Sequence, residues 1–336
     1  VHFQTFLNTA RLFDCVFTTD IDCIHRYKGA LGHDRVYFLP FACQPTVNNP
    51  VELYHRKNAV SFAGAYYARY PQRTRDLDRF LDNLPGWRPV EIYDRNYGKD
   101  DPRYQFPEAY QPYIVGTLPF ERIDQAYKGY QYAINLNSIK QSQSMFARRV
   151  FELLGSNTVT ISNFSRGLRL MFGDLVLSTD SGAEAVRRLA ELSKDPERRE
   201  KLKLAALRKT LSEHTYAHRL DYMHARLTAS EPKATLPAIA VVGRACSETE
   251  AHLLLAAFRQ QRYPRASLFL IAEQSVVSAP DLDEEGVHLL AASDVDNASL
   301  AEIVGDAAWI AGMVAEDYYG PRSEERRVGK ECTLRC

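Results

Sequence analysis

Charge of one sign, long apolar runs and paired cysteines are what this 336-residue sequence lacks. Lys+Arg and Asp+Glu both number 42, so the formal net charge is zero and no global field draws the chain to nucleic acid or an anionic membrane. Apolar runs such as residues 236–242 and 253–258 fall far short of the roughly 18 residues that a membrane-spanning helix needs. None of the six cysteines has a partner at the spacing of a zinc ribbon or a C-x-x-C redox motif, and a reducing, cytoplasmic compartment is the expectation. What is present is ordinary for a globular chain: 45% hydrophobic and 25% charged residues exclude disorder, collagen and coiled coil. The length suits two domains of roughly 150 residues each. The sequence opens at Val1 inside an amphipathic helical pattern without a basic, apolar leader, which reads as a cut start.

Strand and helix signals alternate along most of the chain. Residues 13–20 and 35–41 read as two strands around a helix, the last βαβ unit of an earlier domain, so residues 1–50 are expected to be its end. A longer alternation fills residues 51–228, with strands over 59–63, 90–93, 113–115, 132–136, 158–161 and 175–177. Helices are expected over 74–84, 120–127 and 146–154. Helices from the Ser181 cap to Leu192, over 197–211 and over 216–227 close the domain. Residues 229–236 are polar and turn-rich, a linker. A second, partial α/β domain is expected over 237–321, with strands at 238–242 and 267–271 around a helix at 249–260. Alternation of this kind predicts parallel sheets covered on both faces, a Rossmann-like architecture. Residues 322–336 stand apart: Arg322 to Cys332 reads as an in-frame translation of a sequencing adapter and is expected to be an artefact.

Residues 132–163 carry the densest chemistry. A buried strand ends at Asn135-Leu-Asn137, a polar loop follows, and a helix carries Arg149-Val-Phe-Glu152. In open α/β sheets the ligand lies beyond the carboxyl ends of the strands, which places this loop at the crevice. A helix starting near Ser144 would present free amides and its positive end to a phosphate. Lys140 would add a point charge, Arg148 or Arg149 a planar fork, and Glu152 a carboxylate for two ribose hydroxyls. Taken singly, the bland readings have equal weight: a cap, a solvated lysine, a surface ion pair. Arg69 and Arg73 are second candidates, for which a basic helix face is the expectation. Asp20 and Asp22 read as turn formers, His25 and His33 as loop or helix-surface residues, and Cys23-x-His25 lacks a partner pair for zinc. Tyr66, Tyr67, Tyr93 and Tyr97 cluster near strand ends, where stacking on a ligand competes with core packing.

Residues 13 to about 225 resemble the CgeB-like glycosyltransferases, a family of GT-B fold. The likeness rests on Phe17-Thr-Thr-Asp20, Tyr37-Phe-Leu-Pro-Phe41, Ser61-Phe-Ala-Gly64, Ile92-Tyr-Asp-Arg-Asn96, Ile134-Asn-Leu-Asn-Ser-Ile-Lys140, Phe146-Ala-Arg-Arg-Val-Phe-Glu152, Phe172-Gly-Asp174 and Glu213-His-Thr-Tyr-Ala-His-Arg219. The resemblance implies an α/β fold whose GT-B-type, donor-binding Rossmann domain holds a nucleotide-sugar. It also implies metal-independent transfer to a glycan or surface-polymer acceptor, with no nucleic acid involved and no cofactor. Donor contacts are then expected from Gly64, Asn137, Lys140, Ser144, Arg149 and Glu152, while no catalytic base is assigned. Many retaining relatives place a second acid eight positions before the ribose-binding one; here Ser144 stands there, which leaves retention or inversion open. Residues 236–242, 258–264 and 308–321 resemble the start of a GT-A glycosyltransferase, where Glu316 and Asp317 would hold a divalent cation, Mg or Mn. A non-catalytic sugar- or partner-binding module and a nucleotide-sugar epimerase are the alternative functions.

Overall fold

The computed structural model describes residues 2–230, 236–278, 282 and 284–321. The expected artefact at 322–336 and most of the expected linker lie outside these residues. The chain divides into two units, Val1–Pro232 and Lys233–Cys336.

The first unit opens with α1 (His2–Ala10), β1 (Val16–Thr18), α2 (Ile24–Leu31) and β2 (Val36–Phe38). Gly32, at φ 75°, ends α2 in the left-handed conformation that glycine adopts without a Cβ penalty. β1 and β2 pair in parallel, as a βαβ unit requires. Next come β3 (Lys57–Gly64), α3 (Pro71–Leu81), β4 (Val90–Asp94), β5 (Ile114–Gly116), α4 (Asp124–Lys128) and β6 (Tyr130–Asn135). The sheet region ends with α5 (Arg149–Gly155), β7 (Val159–Ser162), α6 (Arg166–Phe172) and β8 (Leu177–Ser178). The six strands from β3 onward form one parallel sheet in the order β5-β4-β3-β6-β7-β8. That is the doubly wound order, in which the chain runs outward from β3 on one side and then returns to fill the other.

Both faces of this sheet are covered, and β3 explains why its sequence is apolar almost throughout. Val60 and Phe62 enter a core with Leu77, Phe80 and Leu81 of α3, while Ala59 and Ala63, pointing the other way, pack with Ala126, Tyr127 and Leu153. Truncating Phe62 or Phe80, both fully buried, to alanine would cost about 3–5 kcal/mol. Helices α7 (Gly182–Ser193), α8 (Pro196–Glu213) and α9 (Tyr216–Thr228) complete the unit. Each starts on a side-chain cap: Ser181 accepts from the Glu184 amide, Asp195 from that of Arg198 and Thr215 from that of His218.

Two expectations need correction here. The helix placed over 146–154 is the shorter α5, and α6 occupies a stretch where none was expected. Ser165 caps α6 by accepting from the Leu168 amide. Gly167, a weak helix former, sits inside it because a Cβ there would stand 2.7 Å from the backbone of Ser144.

The chain passes between the β1–α2–β2 piece and the six-stranded piece twice, and the two passages lie side by side. The Cys43 N–H donates to the His214 carbonyl at 3.0 Å, and the Tyr216 N–H donates to the Cys43 carbonyl at 3.1 Å. Helix α9 then returns to the first piece. Arg219 donates to the carbonyls of Pro40 and Phe41, each at 2.9 Å, and Tyr222 meets the Phe17 ring edge-on.

The second unit holds β9 (Ile239–Ala245), α10 (Glu248–Arg259), β10 (Ala266–Ala272), α11 (Gln274–Val277), β11 (Val287–Ala291), α12 (Ala292–Val295), α13 (Leu300–Val304) and β12 (Trp309–Met313). Its parallel sheet has the order β11-β10-β9-β12, with Leu254, Leu255, Leu268 and Leu270 in its core. Among the described residues no helix is long and apolar enough to cross a membrane.

Candidate functional site

The order of the six-stranded sheet fixes where a ligand crevice opens. At the carboxyl ends of β3 and β6 the connections leave in opposite directions, so no crossover fills the gap. A cavity of about 380 Å³ lies there. Gly64 at the end of β3, Ala65 after it, and Leu136 and Ser138 after β6 line it, together with Arg73 of α3, Arg95 after β4, and Arg148, Arg149 and Glu152 around the start of α5. Phe41, Tyr67, Tyr70 and Tyr127 add aromatic walls.

Four guanidinium groups against one carboxylate make the cavity strongly cationic. Arg73 is only 8% exposed, donates to the Ala65 carbonyl at 3.0 Å and stacks 4.5 Å over the Tyr67 ring. Burial, then the neighbouring Arg149 charge, pushes its pKa down to about 10, so its positive form lacks a counter-charge. Arg149 lies 5.7 Å over the Phe62 ring, and among the described residues its buried Nε has no hydrogen-bond partner. A bound anion would relieve both groups.

Glu152 is the acidic member. Its Oε2 accepts from the Tyr127 hydroxyl at 3.0 Å and its Oε1 pairs with Arg148 Nε at 2.8 Å. The Tyr127 phenol is pushed up to about 12, by burial above all and by the Glu152 charge, against the opposing pull of Arg149. The phenol therefore stays a donor that fixes the carboxylate. Gly64 lies below; a Cβ there would approach the Phe62 ring to 2.7 Å.

Of the residues expected to contact a donor, Gly64, Arg149 and Glu152 come together in this cavity, while Asn137, Lys140 and Ser144 do not line it. Lys140 pairs with Asp76 at 2.9 Å and Asp180 at 2.8 Å, its side chain only 12% exposed. Burial alone would lower its pKa, yet the hydrogen bonds and charges of Asp180 and Asp76 hold it above the ordinary lysine value. Its ammonium is thus committed to two carboxylates rather than to a phosphate. Asn137 is fully buried, bonded to Ser162 and Asn163 and accepting from the Ala147 amide at 2.9 Å. Ser144 accepts from the Ile21 amide at 2.9 Å and donates to the Thr19 carbonyl at 3.1 Å, stapling the loop after β1 to the loop after β6.

The expected helix start at Ser144 is corrected for the same reason. Ser142 Oγ accepts from the amides of Ser144 and Met145, at 3.3 and 3.0 Å, so these N–H groups turn inward and α5 begins only at Arg149. Asp20 and Asp22, expected as turn formers, do more: Asp20 accepts from Ser142 at 2.7 Å and Asp22 from the Gln143 amide at 3.1 Å. Arg73 also departs from the exposed basic face expected of it. The signal for its burial was its spacing, since Arg73 shares a helical face with Leu77, Phe80 and Leu81 at i+4, i+7 and i+8. Arg95 and Tyr127 had no comparable signal.

In the second unit, Glu316 and Asp317 follow β12, and Tyr319 donates to Asp317 at 3.4 Å. No group of three His, Cys, Asp or Glu side chains suited to a metal exists among the described residues. The pair thus offers a cation no third protein ligand of those types.

Residues 73–225 match the family model described as Glycosyl transferase-like. No curated protein matches the chain. Among solved structures, sucrose-phosphate synthase from Thermosynechococcus elongatus aligns with a TM-score of 0.50 at 15% identity, over 67% of this chain and 62% of the synthase. HepE from Anabaena, in complex with UDP-glucose, aligns with a TM-score of 0.50 at 11% identity, over 68% of this chain and 67% of that one. The chain thus spans less than two thirds of the synthase, and the likeness in both cases is one of fold. The protein has an α/β fold with parallel sheets that matches GT-B glycosyltransferase structures, and its residues 73–225 match the glycosyl transferase-like family.

Proposed function

We propose that the first unit belongs to a glycosyltransferase of the CgeB-like type, which moves a sugar from a nucleoside-diphosphate donor to a glycan or surface-polymer acceptor. The observation that carries this reading is the cavity at the switch point, which Arg73, Arg95, Arg148 and Arg149 line together with Glu152 and Gly64. In the transfer, the bond between the anomeric carbon and the diphosphate oxygen breaks and its electron pair stays on that oxygen. An acceptor hydroxyl forms the new bond to the anomeric carbon and gives up its proton to solvent or to the departing diphosphate. The charge that develops on the diphosphate is met by Arg73 and Arg149, whose burial strengthens their field, and no divalent cation is required for that step. Glu152, held by Tyr127, accepts both hydroxyls of the ribose once Arg148 yields its place. The UDP-glucose complex of HepE is consistent with a donor of this class.

Calorimetric titration of the full chain with nucleoside diphosphates tests the reading. Glu152→Gln keeps the shape and removes the charge, and is expected to weaken binding about tenfold or more. An unchanged dissociation constant would refute the assignment of Glu152.

A further inference from the structure

Beside the switch-point cavity lies a second one of about 290 Å³, lined by Asp94, Tyr97, Lys99, Tyr104, Phe106 and Gln111 among others. Asp94 ends β4 and, by strand register, stands directly beside Gly64 of β3. It is 6% exposed; Oδ1 accepts from the Asn96 amide at 3.0 Å, and among the described residues Oδ2 has no hydrogen-bond partner. A carboxylate so buried, lining a cavity with an oxygen that carries no hydrogen bond and with only the Lys99 charge of the same cavity acting on it, suits a ligand that brings N–H donors. The two cavities share an aromatic partition, because Tyr67 of the first meets Tyr104 of the second edge-on with centroids 5.4 Å apart. From β6, beside which Glu152 sits, across β3 to β4 is two strand spacings, about 10 Å. That is the reach of a nucleoside from its pentose to the far edge of its base.

Resting on the donor site proposed above, we infer that the Asp94 cavity is the nucleobase subsite and that Asp94 selects guanine. Only guanine offers two parallel donors, its ring N1–H and its 2-amino group, to the two acceptor oxygens of a carboxylate. Uracil sets its single N3–H between two carbonyl oxygens that the carboxylate repels. Adenine and cytosine each place a ring-nitrogen lone pair beside their amino group, so one carboxylate oxygen meets repulsion. Tyr97 and Tyr104 supply flat faces against the base.

The test is a titration of the full chain with GDP, UDP and inosine diphosphate, which lacks only the 2-amino group of GDP. GDP is expected to bind about tenfold or more tighter than either. Asp94→Asn, which exchanges one acceptor for a donor, should erase the preference for GDP over inosine diphosphate. The ligand comparison on the unaltered protein stands whether or not this variant folds. Equal affinity for GDP and UDP, or for GDP and inosine diphosphate, overturns the guanine assignment. Binding of every diphosphate alike, weakened by Glu152→Gln, would overturn this inference and leave the donor site intact. Failure to bind any of them overturns both.

Discussion

Replacing Lys140 by methionine separates a structural lysine from a phosphate-binding one. The ammonium joins Asp76, whose side chain is 4% exposed, to Asp180, which is 37% exposed. Methionine keeps the apolar stem and removes the charge, leaving the Asp76 carboxylate buried with a hydrogen bond from Asn163 at 2.8 Å and a longer contact to Arg79. Breaking a buried ion pair from one side costs about 3–5 kcal/mol. Because Asp180 reaches solvent and Asp76 keeps Asn163, the lower end applies, about 3 kcal/mol. With a urea dependence near 2 kcal/mol per molar, the unfolding midpoint should fall by about 1.5 M. Trp87 packs edge-on against Tyr132 at 5.0 Å in the first unit. Since the chain has only two tryptophans, Trp309→Phe would leave Trp87 as its sole tryptophan, so that emission excited above the tyrosine band reports on the first unit. Nucleotide affinity of the folded variant should stay within twofold. An unchanged midpoint together with a large loss of affinity would refute the structural assignment and return Lys140 to the donor site.

Two further outcomes follow from the same unit. Ser144→Ala removes the acceptor of the Ile21 amide and the donor to the Thr19 carbonyl. It should cost about 1–2 kcal/mol in urea unfolding with no change in nucleotide binding; weakened binding at unchanged stability would contradict the staple. His214, packed edge-on against Phe151 and Phe172, has its pKa pushed down to about 4 by burial first and by Arg219 second. The unfolded chain takes up this proton below its ordinary value of 6.5 while the folded chain refuses it, so stability falls as pH drops from about 6.5 to about 4, by up to about 3 kcal/mol. Unfolding of His214→Gln across that window should show a shallower slope; an unaltered slope refutes the assignment.

The alternation of apolar strands and amphipathic helices was legible because parallel strands buried on both faces leave near-continuous apolar runs, as Ala59 to Gly64 does. Two residues that line the candidate cavity were legible, Glu152 from its place along the helical segment after the Asn135-Leu-Asn137 strand end and Gly64 from the family resemblance. Side-chain capture of the backbone was not: nothing local announces that Ser142 will take the Ser144 and Met145 amides, or that Asn137 will hold the Ala147 amide. Such bonds depend on which loops the tertiary fold brings together. The ion pairs of Lys140 were not legible for a like reason, since its partners Asp76 and Asp180 stand 64 and 40 residues away along the chain.

The β1–α2–β2 piece is held at two places, by the paired passages at Cys43 and Tyr216 and by the Ser144, Asp20 and Asp22 bonds between the loops after β1 and β6. A body tethered by one strand swivels freely, but one laced by two strands and stapled across its loops turns only when the staple opens. Arg219 of α9 grips the carbonyl of Phe41, and Phe41 is itself part of the cavity rim. Opening of that staple would therefore shift the rim, coupling access to the arginine-lined mouth to α9, a helix that does not line the cavity.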